Sequence, residues 1–372
     1  MRILVAAGFA AGSTFASTIN TVKMAEGFAM LGHDVTLACR APFAGVLDQE
    51  ELKYQYALHN HIRWTQLTPT RKGQMLDPHW DFARQLFPYL LFSRPDFVFS
   101  RNYILPWLSS VMGIPTAAES HAHPGTSTRP FNTFVKGTSR RRFKALVTIA
   151  RILADNFKSI GVPENKIVVL PDAVDLHNFL PPDVLPVSPY GIGPNVVYSG
   201  HLYDYKGIPD ILGAAKLLPD VIFHLVGGLA EDIQRAKTSI ETLRQNNIVL
   251  HGHKPRTELP PYLWHADVLL LPPSGKHPSA QWTSPVKLGE YLASGRPLLS
   301  TDIPALKAWL TDKQTKFVAP DDPASLAAGI QWLLEHTKEA AAMASSGQEL
   351  ASTLGYSQRA SAILDFCGMR FS

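Results

Sequence analysis

The sequence predicts an α/β protein with two doubly wound, Rossmann-like domains that face each other across a cleft. Its 372 residues are enough for two domains with separate hydrophobic cores. In both halves, short apolar stretches alternate with helical patterns, which is typical of parallel sheets. Residues 181–194 separate the halves and are rich in proline and glycine, which favours a linker.

The first half begins with the strand, loop and helix of a βαβ unit. An apolar strand is expected at residues 2–7, followed by a loop of small residues. Helical spacing covers residues 18–31, and Gly32 can end that helix in the left-handed conformation. Later strands of this half are expected at residues 35–39, 97–100, 116–119, 145–149 and 166–170.

The second half repeats the alternation from residue 195 onwards. Its strands are expected at residues 196–199, 222–226, 248–250, 268–271 and 297–300. We therefore place the first domain at 1–182, the linker at 183–194 and the second domain at 195–352. Residues 353–372 are expected to form a terminal helix that crosses back to the first domain. Doubly wound sheets bind ligands beyond the carboxyl ends of their strands, which places the expected site in the cleft.

The composition is that of an ordinary globular protein, with 45% apolar and 18% charged residues. No run approaches the ~20 apolar residues that a membrane span requires. Cys39 and Cys367 are the only cysteines, so no disulfide framework is expected. A reducing compartment, the cytoplasm, fits this composition.

A basic segment runs from Arg129 to Lys144 without an acidic residue, and Phe131, Phe134 and Phe143 alternate with its charges. One interpretation is a solvated helix face. The other is a peripheral contact with anionic lipid at the inner membrane face, to which each basic residue would contribute about 1 kcal/mol. No nucleic-acid-binding signature accompanies the segment, so nucleic acid is not an expected partner.

The most informative stretch, residues 283–302, has the pattern of a loop that enters a helix. Ser284 suits the N-cap and Pro285 the first helical position. Lys287 then lies in the first turn, where the helix dipole disfavours a cation, and Glu290 follows on the same face. Backbone N–H groups and an ammonium can bind phosphate there, and the carboxylate can accept from hydroxyls. This pattern indicates a nucleotide-sugar site; the alternative is an ordinary surface helix with a Lys–Glu pair.

A second basic position follows the first strand of this half. Gly200 would let the backbone approach a ligand closely, and His201 comes next. Lys206 precedes Gly207 at an expected helix start, where it can meet a pyrophosphate as a point charge. An exposed loop lysine is the alternative, but a second such lysine in the same domain favours phosphate binding.

The stretches VVYSGHLYDYKG (196–207) and SPVKLGEYLASGRPLLSTD (284–302) together resemble the retaining GT-B glycosyltransferases of family 4, the glycosyl transferases group 1 type. PDAVDLHNF (171–179), ADVLLLP (266–272) and LGHDVTL (31–37) are similar to further segments of that family. The resemblance implies a hexosyltransferase that acts with retention and without metal or cofactor. Its first domain would bind the acceptor. Its second domain would bind a nucleotide-diphosphate sugar, and a UDP-linked sugar is the expected donor.

The resemblance also implies roles for individual residues. Glu290 matches a glutamate that binds the nucleotide ribose, and Lys206 matches a basic residue that binds the diphosphate. His121 matches a histidine that contacts the donor sugar near the reacting centre, so His121 and Lys206 are the expected catalytic residues. Gly12 and Ser13 match a loop that closes over the donor. The expected donor-binding residues are Gly12, Ser13, Gly200, His201, Lys206, Thr283, Ser284, Pro285, Val286, Lys287 and Glu290.

Two positions depart from the family pattern. Trp282 stands where the family has a glutamate that holds sugar hydroxyls, and His201 stands where it has an arginine. A subgroup of the family is similar at both places, so the departures are consistent with an active enzyme. They leave the identity of the donor sugar open.

His121 has a structural alternative, because a lone histidine is more often a satisfied structural residue than a catalyst. The neighbouring His123 suggests a metal pair, but no acidic or cysteine ligands are expected to gather nearby, so no metal site is expected. Glu119, two residues earlier on an expected strand, is placed to orient His121.

Other chemistries lack their sequence signatures: there is no G-x-G-x-x-G, Walker A, H-E-x-x-H, G-x-S-x-G or D-x-D motif. A leaving diphosphate would be neutralised by Lys206, Lys287 and helix N-termini. The acceptor of the transferred sugar would be a glycan, a lipid-linked sugar or a small molecule. Two alternatives to a transferase stay open: a nucleotide-sugar epimerase or hydrolase, and a non-catalytic sugar-nucleotide or lipid-binding protein.

Overall fold

The chain divides into two compact units in the computed structural model, which describes residues 1–69, 77–121 and 128–369. One unit comprises Met1–Ala173 and Gly355–Ser372, and the other comprises Val174–Leu354. The sequence placed the first boundary at residue 182, whereas the chain joins the second unit from Val174 onwards. The Val174 N–H donates to the Leu354 carbonyl oxygen at 2.9 Å, and Phe179 is buried in the core of the second unit.

The first unit contains, among its described residues, a seven-stranded sheet whose neighbouring strands are all parallel. Its strands are β1 (Arg2–Ala10), β2 (Asp34–Arg40), β3 (Arg63–Leu67), β4 (Phe97–Ser100), β5 (Thr116–Ser120), β6 (Phe143–Thr148) and β7 (Ile167–Val169). Its helices are α1 (Ala16–Met30), α2 (Gln49–Gln55), α3 (Pro78–Ser93), α4 (Ile104–Val111), α5 (Arg129–Thr138) and α6 (Arg151–Ser159). The strand order is β3-β2-β1-β4-β5-β6-β7. The chain adds strands toward one edge of the sheet from β1 to β3, and toward the other edge from β4 onwards.

The second unit contains a six-stranded parallel sheet. Its helices are α7 (Leu176–Phe179), α8 (Ile208–Leu217), α9 (Ala230–Thr242), α10 (Pro260–Trp264), α11 (Val286–Ala293), α12 (Pro304–Lys307), α13 (Pro323–Glu335) and α14 (Thr337–Ser352). Its strands are β8 (Asn195–Ser199), β9 (Ile222–Val226), β10 (Ile248–Gly252), β11 (Val268–Leu271), β12 (Leu298–Thr301) and β13 (Lys316–Val318). The strand order is β10-β9-β8-β11-β12-β13, so the direction in which strands are added to the sheet changes between β8 and β11. Doubly wound domains bind ligands at such a switch point, beyond the carboxyl ends of the strands.

The terminal helix α15 (Tyr356–Phe366) belongs to the first unit and packs along α1. A Cβ atom on Gly27 would lie 2.5 Å from the Tyr356 carbonyl oxygen, so glycine permits this close contact. Tyr356 Oη donates to Asn20 Oδ1 at 3.2 Å. Arg359 is buried beside β5, where Nη1 donates to Glu119 Oε2 at 2.8 Å.

The sequence located the central strands and missed two strands at sheet edges. β3 and β13 were not predicted, and most of their residues are half-buried. Their apolar pattern is weak because an edge strand packs against fewer neighbours. β1 extends beyond its expected end at residue 7, because Ala10 still pairs with Arg40 after an irregularity. Helix α1 begins at Ala16 instead of residue 18.

The basic segment forms α5 and the start of β6. Phe131, Phe134 and Phe143 are buried in one apolar cluster of the first unit, whereas Lys136 and Arg140 are exposed. The aromatic residues therefore face the core and do not share a surface with these exposed charges. Within the described ranges, no helix has both the length and the apolar character that crossing a membrane requires.

Candidate functional site

Two glycine turns bring the backbone together at the carboxyl end of β8. Gly200 has a φ of +124° and Gly227 a φ of +119°, values that favour glycine. A Cβ atom on Gly227 would lie 2.6 Å from the Gly200 carbonyl oxygen. A Cβ atom on Gly200 would lie 2.7 Å from Nζ of Lys287. Glycine at position 200 therefore leaves the space in which the Lys287 ammonium lies.

Lys287 lies in the first turn of α11, as the sequence predicted. The helix begins one position later than expected, because Pro285 keeps an extended backbone and takes the N-cap position expected for Ser284. Pro285, the N-cap residue, has no side-chain group that could cap the helix start. The positive end of the helix dipole therefore adds to the lysine charge, and the combination favours an anion.

The ammonium groups of Lys206 and Lys287 are both partly buried in the second unit. Nζ of Lys287 lies 3.9 Å from the ring centroid of Tyr198, and Nζ of Lys206 lies 5.0 Å from that of Tyr205. Burial and the nearby charge of Lys206 hold the pKa of Lys287 well below its usual value, and burial lowers the pKa of Lys206. Neither ammonium forms an ion pair with a carboxylate of the described residues. The two like charges thus repel each other, and an anion would relieve that repulsion.

Tyr291 of α11 ties these two segments together. The Ser199 N–H donates to Tyr291 Oη at 2.7 Å, and Ser199 Oγ donates to the same oxygen at 3.2 Å. Tyr291 is fully buried, so water does not compete for these hydrogen bonds. The end of β8 and the first turns of α11 therefore form one frame for Gly200 and Lys287.

Glu290 has an ion-pair partner that the sequence did not reveal. Glu290 is 4% exposed, and its Oε1 lies 2.9 Å from Nη2 of Arg256. The Arg256 guanidinium also lies over the Phe179 ring, 5.1 Å from its centroid. Arg256 follows β10 in a loop without a recognisable motif, so only the fold brings it to Glu290.

The other predicted donor-binding residues flank the same turns. His201 begins a stack of rings that continues through Tyr203 and Tyr205 to His277, with centroid distances of 5.1, 5.5 and 4.2 Å. Burial lowers the pKa of His201, so the imidazole is neutral at neutral pH and does not replace the charge of the family's arginine. Residues 283–286 are half-buried where the chain enters α11.

In the first unit, Gly12 and Ser13 lie in the turn between β1 and α1. Gly12 has a φ of +79°, and a Cβ atom there would lie 2.8 Å from Leu47 Cδ1. Gln55 Nε2 donates to the Gly12 carbonyl oxygen at 2.6 Å, and Tyr56 Oη donates to the Ser13 carbonyl oxygen at 2.9 Å. The turn is thereby fixed at the carboxyl end of β1, where a doubly wound domain binds ligands.

His121 follows β5 and contacts two carboxylates. Its Nε2 contacts Glu119 Oε1 and lies 3.5 Å from Asp172 Oδ1. Glu119 thus contacts the imidazole that it was expected to orient. The expectation that no acidic ligands gather near His121 was wrong, because the chain after β7 brings Asp172 back to the end of β5. His123 lies outside the described residues.

Positive charge surrounds Glu119. Arg359 Nη1 lies 2.8 Å from Oε2, Arg101 Nη1 lies 3.9 Å from Oε1, and Asn20 Nδ2 donates to Oε1 at 3.2 Å. Burial alone would raise the pKa of Glu119, but Arg359, the His121 imidazole and Arg101 hold it well below its usual value. Burial raises the pKa of Asp172. These groups form one network at the end of β5.

The same network offers ligand atoms from Glu119, His121 and Asp172 that lie within 4.8 Å of one another. By distance alone, these atoms could hold a metal ion. Arg359 and Arg101 already face the shared carboxylate, and their charge disfavours a divalent cation beside it.

Both parts of the chain match family models of glycosyltransferase domains. Residues 20–178 match the model described as Glycosyltransferase Family 4, and residues 193–336 match Glycosyl transferases group 1. WcaL of Escherichia coli K12, named for colanic acid biosynthesis as a glycosyltransferase, is 30% identical over 195 residues. That alignment covers 50% of this chain and 47% of WcaL, so the chain spans about half the length of this curated relative.

Solved structures share the fold over nearly the whole chain. A glycosyltransferase from Rickettsia africae ESF-5 has a TM-score of 0.74 at 16% identity, covering 98% of this chain and 97% of that one. HepE of Anabaena, solved in complex with UDP, has a TM-score of 0.73 at 15% identity, covering 98% and 100%. The fold is therefore that of the GT-B glycosyltransferases, with two parallel-sheet α/β domains. Within that fold, both parts of the chain are similar to glycosyltransferase domain models.

Proposed function

We propose that this protein is a glycosyltransferase of glycan biosynthesis that moves a sugar from a nucleotide-diphosphate sugar to an acceptor hydroxyl. The donor would be UDP-linked, and the acceptor would be a glycan, a lipid-linked sugar or a small molecule. The reaction would proceed with retention and without a metal ion, in the cytoplasm. Retention rests on the family resemblance alone.

The pair of Lys206 and Lys287 carries this proposal, because neither ammonium forms an ion pair with a carboxylate of the described residues. Each ammonium is partly buried and lies over an aromatic ring, and the start of α11 adds its dipole. A diphosphate would compensate both lysines with a single ligand. The diphosphate gains negative charge as it leaves the sugar, so these groups would stabilise the transition state more than the bound donor.

Each unit offers one further group for the donor. Glu290, fixed by Arg256, would accept hydrogen bonds from ribose hydroxyls. In the first unit, Glu119 contacts Nε2 of His121, so Nδ1 is the nitrogen that would face a sugar hydroxyl.

The names of related proteins support the choice of substrates. HepE, a structural neighbour, has also been solved in complex with UDP-glucose. WcaL is named for colanic acid biosynthesis, which supports a glycan product.

The test measures nucleotide binding and sugar transfer in Lys206→Ala and Lys287→Met. Thermal shifts with UDP, ADP, GDP and their glucose conjugates identify the donor, because a ligand selective for the native state raises apparent stability. Each variant should lose the nucleotide-induced shift, while the unliganded protein keeps or gains stability because a buried like charge is removed. Lys237→Ala, at an exposed position of α9, is the matched control and should bind like the wild type. Undiminished nucleotide binding in both site variants would contradict the proposal.

Product analysis separates the alternatives. An epimerase or hydrolase converts the donor equally well with and without acceptor, whereas a transferase needs the acceptor. A non-catalytic sugar-nucleotide-binding protein shows the thermal shift but no turnover with any acceptor.

A further inference from the structure

Helix α3 presents an apolar stripe on the surface of the first unit. Phe87, Leu91 and Phe92 are 43%, 47% and 82% exposed, and Pro88 is exposed between them. With Arg84, these positions recur at i, i+3, i+4, i+7 and i+8, which is one face of an α-helix. The stripe is therefore continuous: Arg84 lies at its amino-terminal end, and three large apolar side chains and a proline follow.

The buried face of the same helix is also apolar. Phe82, Leu86 and Leu90 are fully buried in the core of the first unit. A surface helix normally carries polar residues on its outer face, and a helix that is apolar all round is normally covered. The exposed stripe therefore indicates a surface that acquires a partner.

Basic residues lie at the same edge of the unit. Helices that connect parallel strands run against them, so the carboxyl ends of α3, α4 and α5 share the edge where the strands begin. The three helices are neighbours: the rings of Trp80 and Trp107 are 5.8 Å apart, and a Cβ atom on Gly137 would lie 3.2 Å from Trp107 Cδ1. The exposed basic residues of this edge are Arg94, Lys136, Arg140 and Arg141.

Acidic charge at the strand starts is already neutralised. Asp96 lies 3.6 Å from Arg2, and Asp34 lies 2.7 Å from Arg63. The four basic residues of the edge form no ion pair with a carboxylate in the described part of the chain. The edge therefore combines an apolar stripe with an excess of positive charge.

We propose that this edge docks on a membrane surface that contains anionic lipid, with the α3 stripe entering the interface and the basic residues facing the headgroup phosphates. Large apolar side chains beside unpaired basic residues are typical of helices that lie in a membrane interface. Contact between two copies through this edge would bring like charges together, which opposes self-association. The proposal does not depend on the proposed reaction.

Co-sedimentation of the full chain with sucrose-loaded vesicles tests the docking. The wild type should bind vesicles of phosphatidylcholine and phosphatidylglycerol about tenfold or more better than vesicles of phosphatidylcholine alone. Phe87→Ser/Leu91→Ser/Phe92→Ser should lose binding to both. A second variant replaces three of the four basic residues, as Lys136→Gln/Arg140→Gln/Arg141→Gln. Its binding to the anionic vesicles should fall to the level seen with vesicles of phosphatidylcholine alone.

Two matched controls remove similar side chains elsewhere and should bind vesicles like the wild type. The apolar control replaces three exposed residues of the 181–194 segment, and the basic control replaces three exposed lysines of the second unit. They are Val184→Ser/Val187→Ser/Ile192→Ser and Lys237→Gln/Lys313→Gln/Lys338→Gln.

The proposal is overturned if the wild type stays in solution with both kinds of vesicle, or if the folded α3 variant binds like the wild type. Melting temperature and a cooperative unfolding transition show that a variant is folded. Light scattering adds a third outcome. A wild-type dimer that the α3 variant dissociates, without vesicle binding, would assign the stripe to a second copy and overturn membrane docking.

Discussion

Arg256→Met removes the only described ion-pair partner of Glu290 and keeps much of the side-chain volume. The guanidinium lies 2.9 Å from Glu290 and over the ring of Phe179, and both contacts disappear in the variant. Breaking a buried pair by removing one partner costs about 3–5 kcal/mol. The Arg256 side chain is 12% exposed, so some of its charge is screened by water. We therefore expect a loss of about 2–3 kcal/mol in the free energy of unfolding, measured by chemical denaturation.

The stability deficit of this variant should depend on pH. A buried carboxylate without an opposing charge binds a proton more readily in the folded protein than in the unfolded chain. Folding then takes up a proton, so stability increases as the pH falls. The difference in unfolding free energy between Arg256→Met and the wild type should shrink as the pH is lowered from about 7 to about 5.

The binding assay compares the nucleoside diphosphate that the wild type binds best with its 2′,3′-dideoxy analogue. A hydrogen bond to a charged group contributes about 1.5–3 kcal/mol, so the wild type should prefer the ribose form by about tenfold or more. Arg256→Met should lose most of this preference and bind the dideoxy analogue nearly as the wild type does. Arg256→Lys keeps the charge but not the planar fork, so it should retain an intermediate preference.

The double variant Arg256→Met/Glu290→Gln closes a thermodynamic cycle. If the pair acts as a unit, the double variant is more stable than Arg256→Met, because no buried charge is left unpaired. The reasoning is refuted by an Arg256→Met protein with wild-type stability and wild-type preference for ribose. Absence of nucleotide binding in the wild type would instead refute the proposed donor site.

The remaining predictions concern single contacts of the second unit. Gly200→Ala should abolish the nucleotide-induced thermal shift, because its Cβ would lie 2.7 Å from Nζ of Lys287. Gly32→Ala is the control: Gly32 has a φ of +80° and open space around it. This variant should add only backbone strain and keep the shift. Tyr291→Phe should lower the free energy of unfolding by about 1–3 kcal/mol, because a buried N–H loses its acceptor; unchanged denaturation curves would exclude this role. Burial lowers the pKa of His224 to about 4 from an ordinary value of 6.5, so the unfolded chain binds a proton before the folded protein does. The free energy of unfolding of the wild type should therefore fall on the order of 3 kcal/mol as the pH drops from about 6.5 to about 4. In His224→Gln, the free energy of unfolding should change less with pH over the same range.

The sequence revealed the phosphate-binding elements of the second unit because their signals are local. A lysine in the first turn of a helix, and a glycine ahead of a second lysine, can be recognised within a few residues of chain. The fold then places Lys206 close enough to Lys287 to lower its pKa. The central strands were found for a similar reason, since buried parallel strands are short apolar runs whatever their partners.

Contacts between distant segments could not be predicted in this way. Arg359 and Glu119 are 240 residues apart, and nothing in the neighbourhood of either arginine, 256 or 359, distinguishes it from a surface arginine. The same limitation explains the error at His121, because Asp172 reaches it only through the turn after β7. Long-range ion pairs depend on topology, and a single sequence gives topology only as an alternation of elements.

The two units balance their buried charges in different ways, and the difference explains why the anion is expected in only one of them. In the first unit, the carboxylates near His121 are faced by Arg359 and Arg101, so the cluster is compensated within the protein. In the second unit, Glu290 is paired with Arg256, and its charge only partly offsets the burial of Lys287 and its repulsion by Lys206. A diphosphate bound to these lysines would raise their pKa values toward the usual range. Binding of the nucleotide and protonation of the lysine pair are therefore thermodynamically linked, and this linkage has no counterpart in the compensated cluster of the first unit.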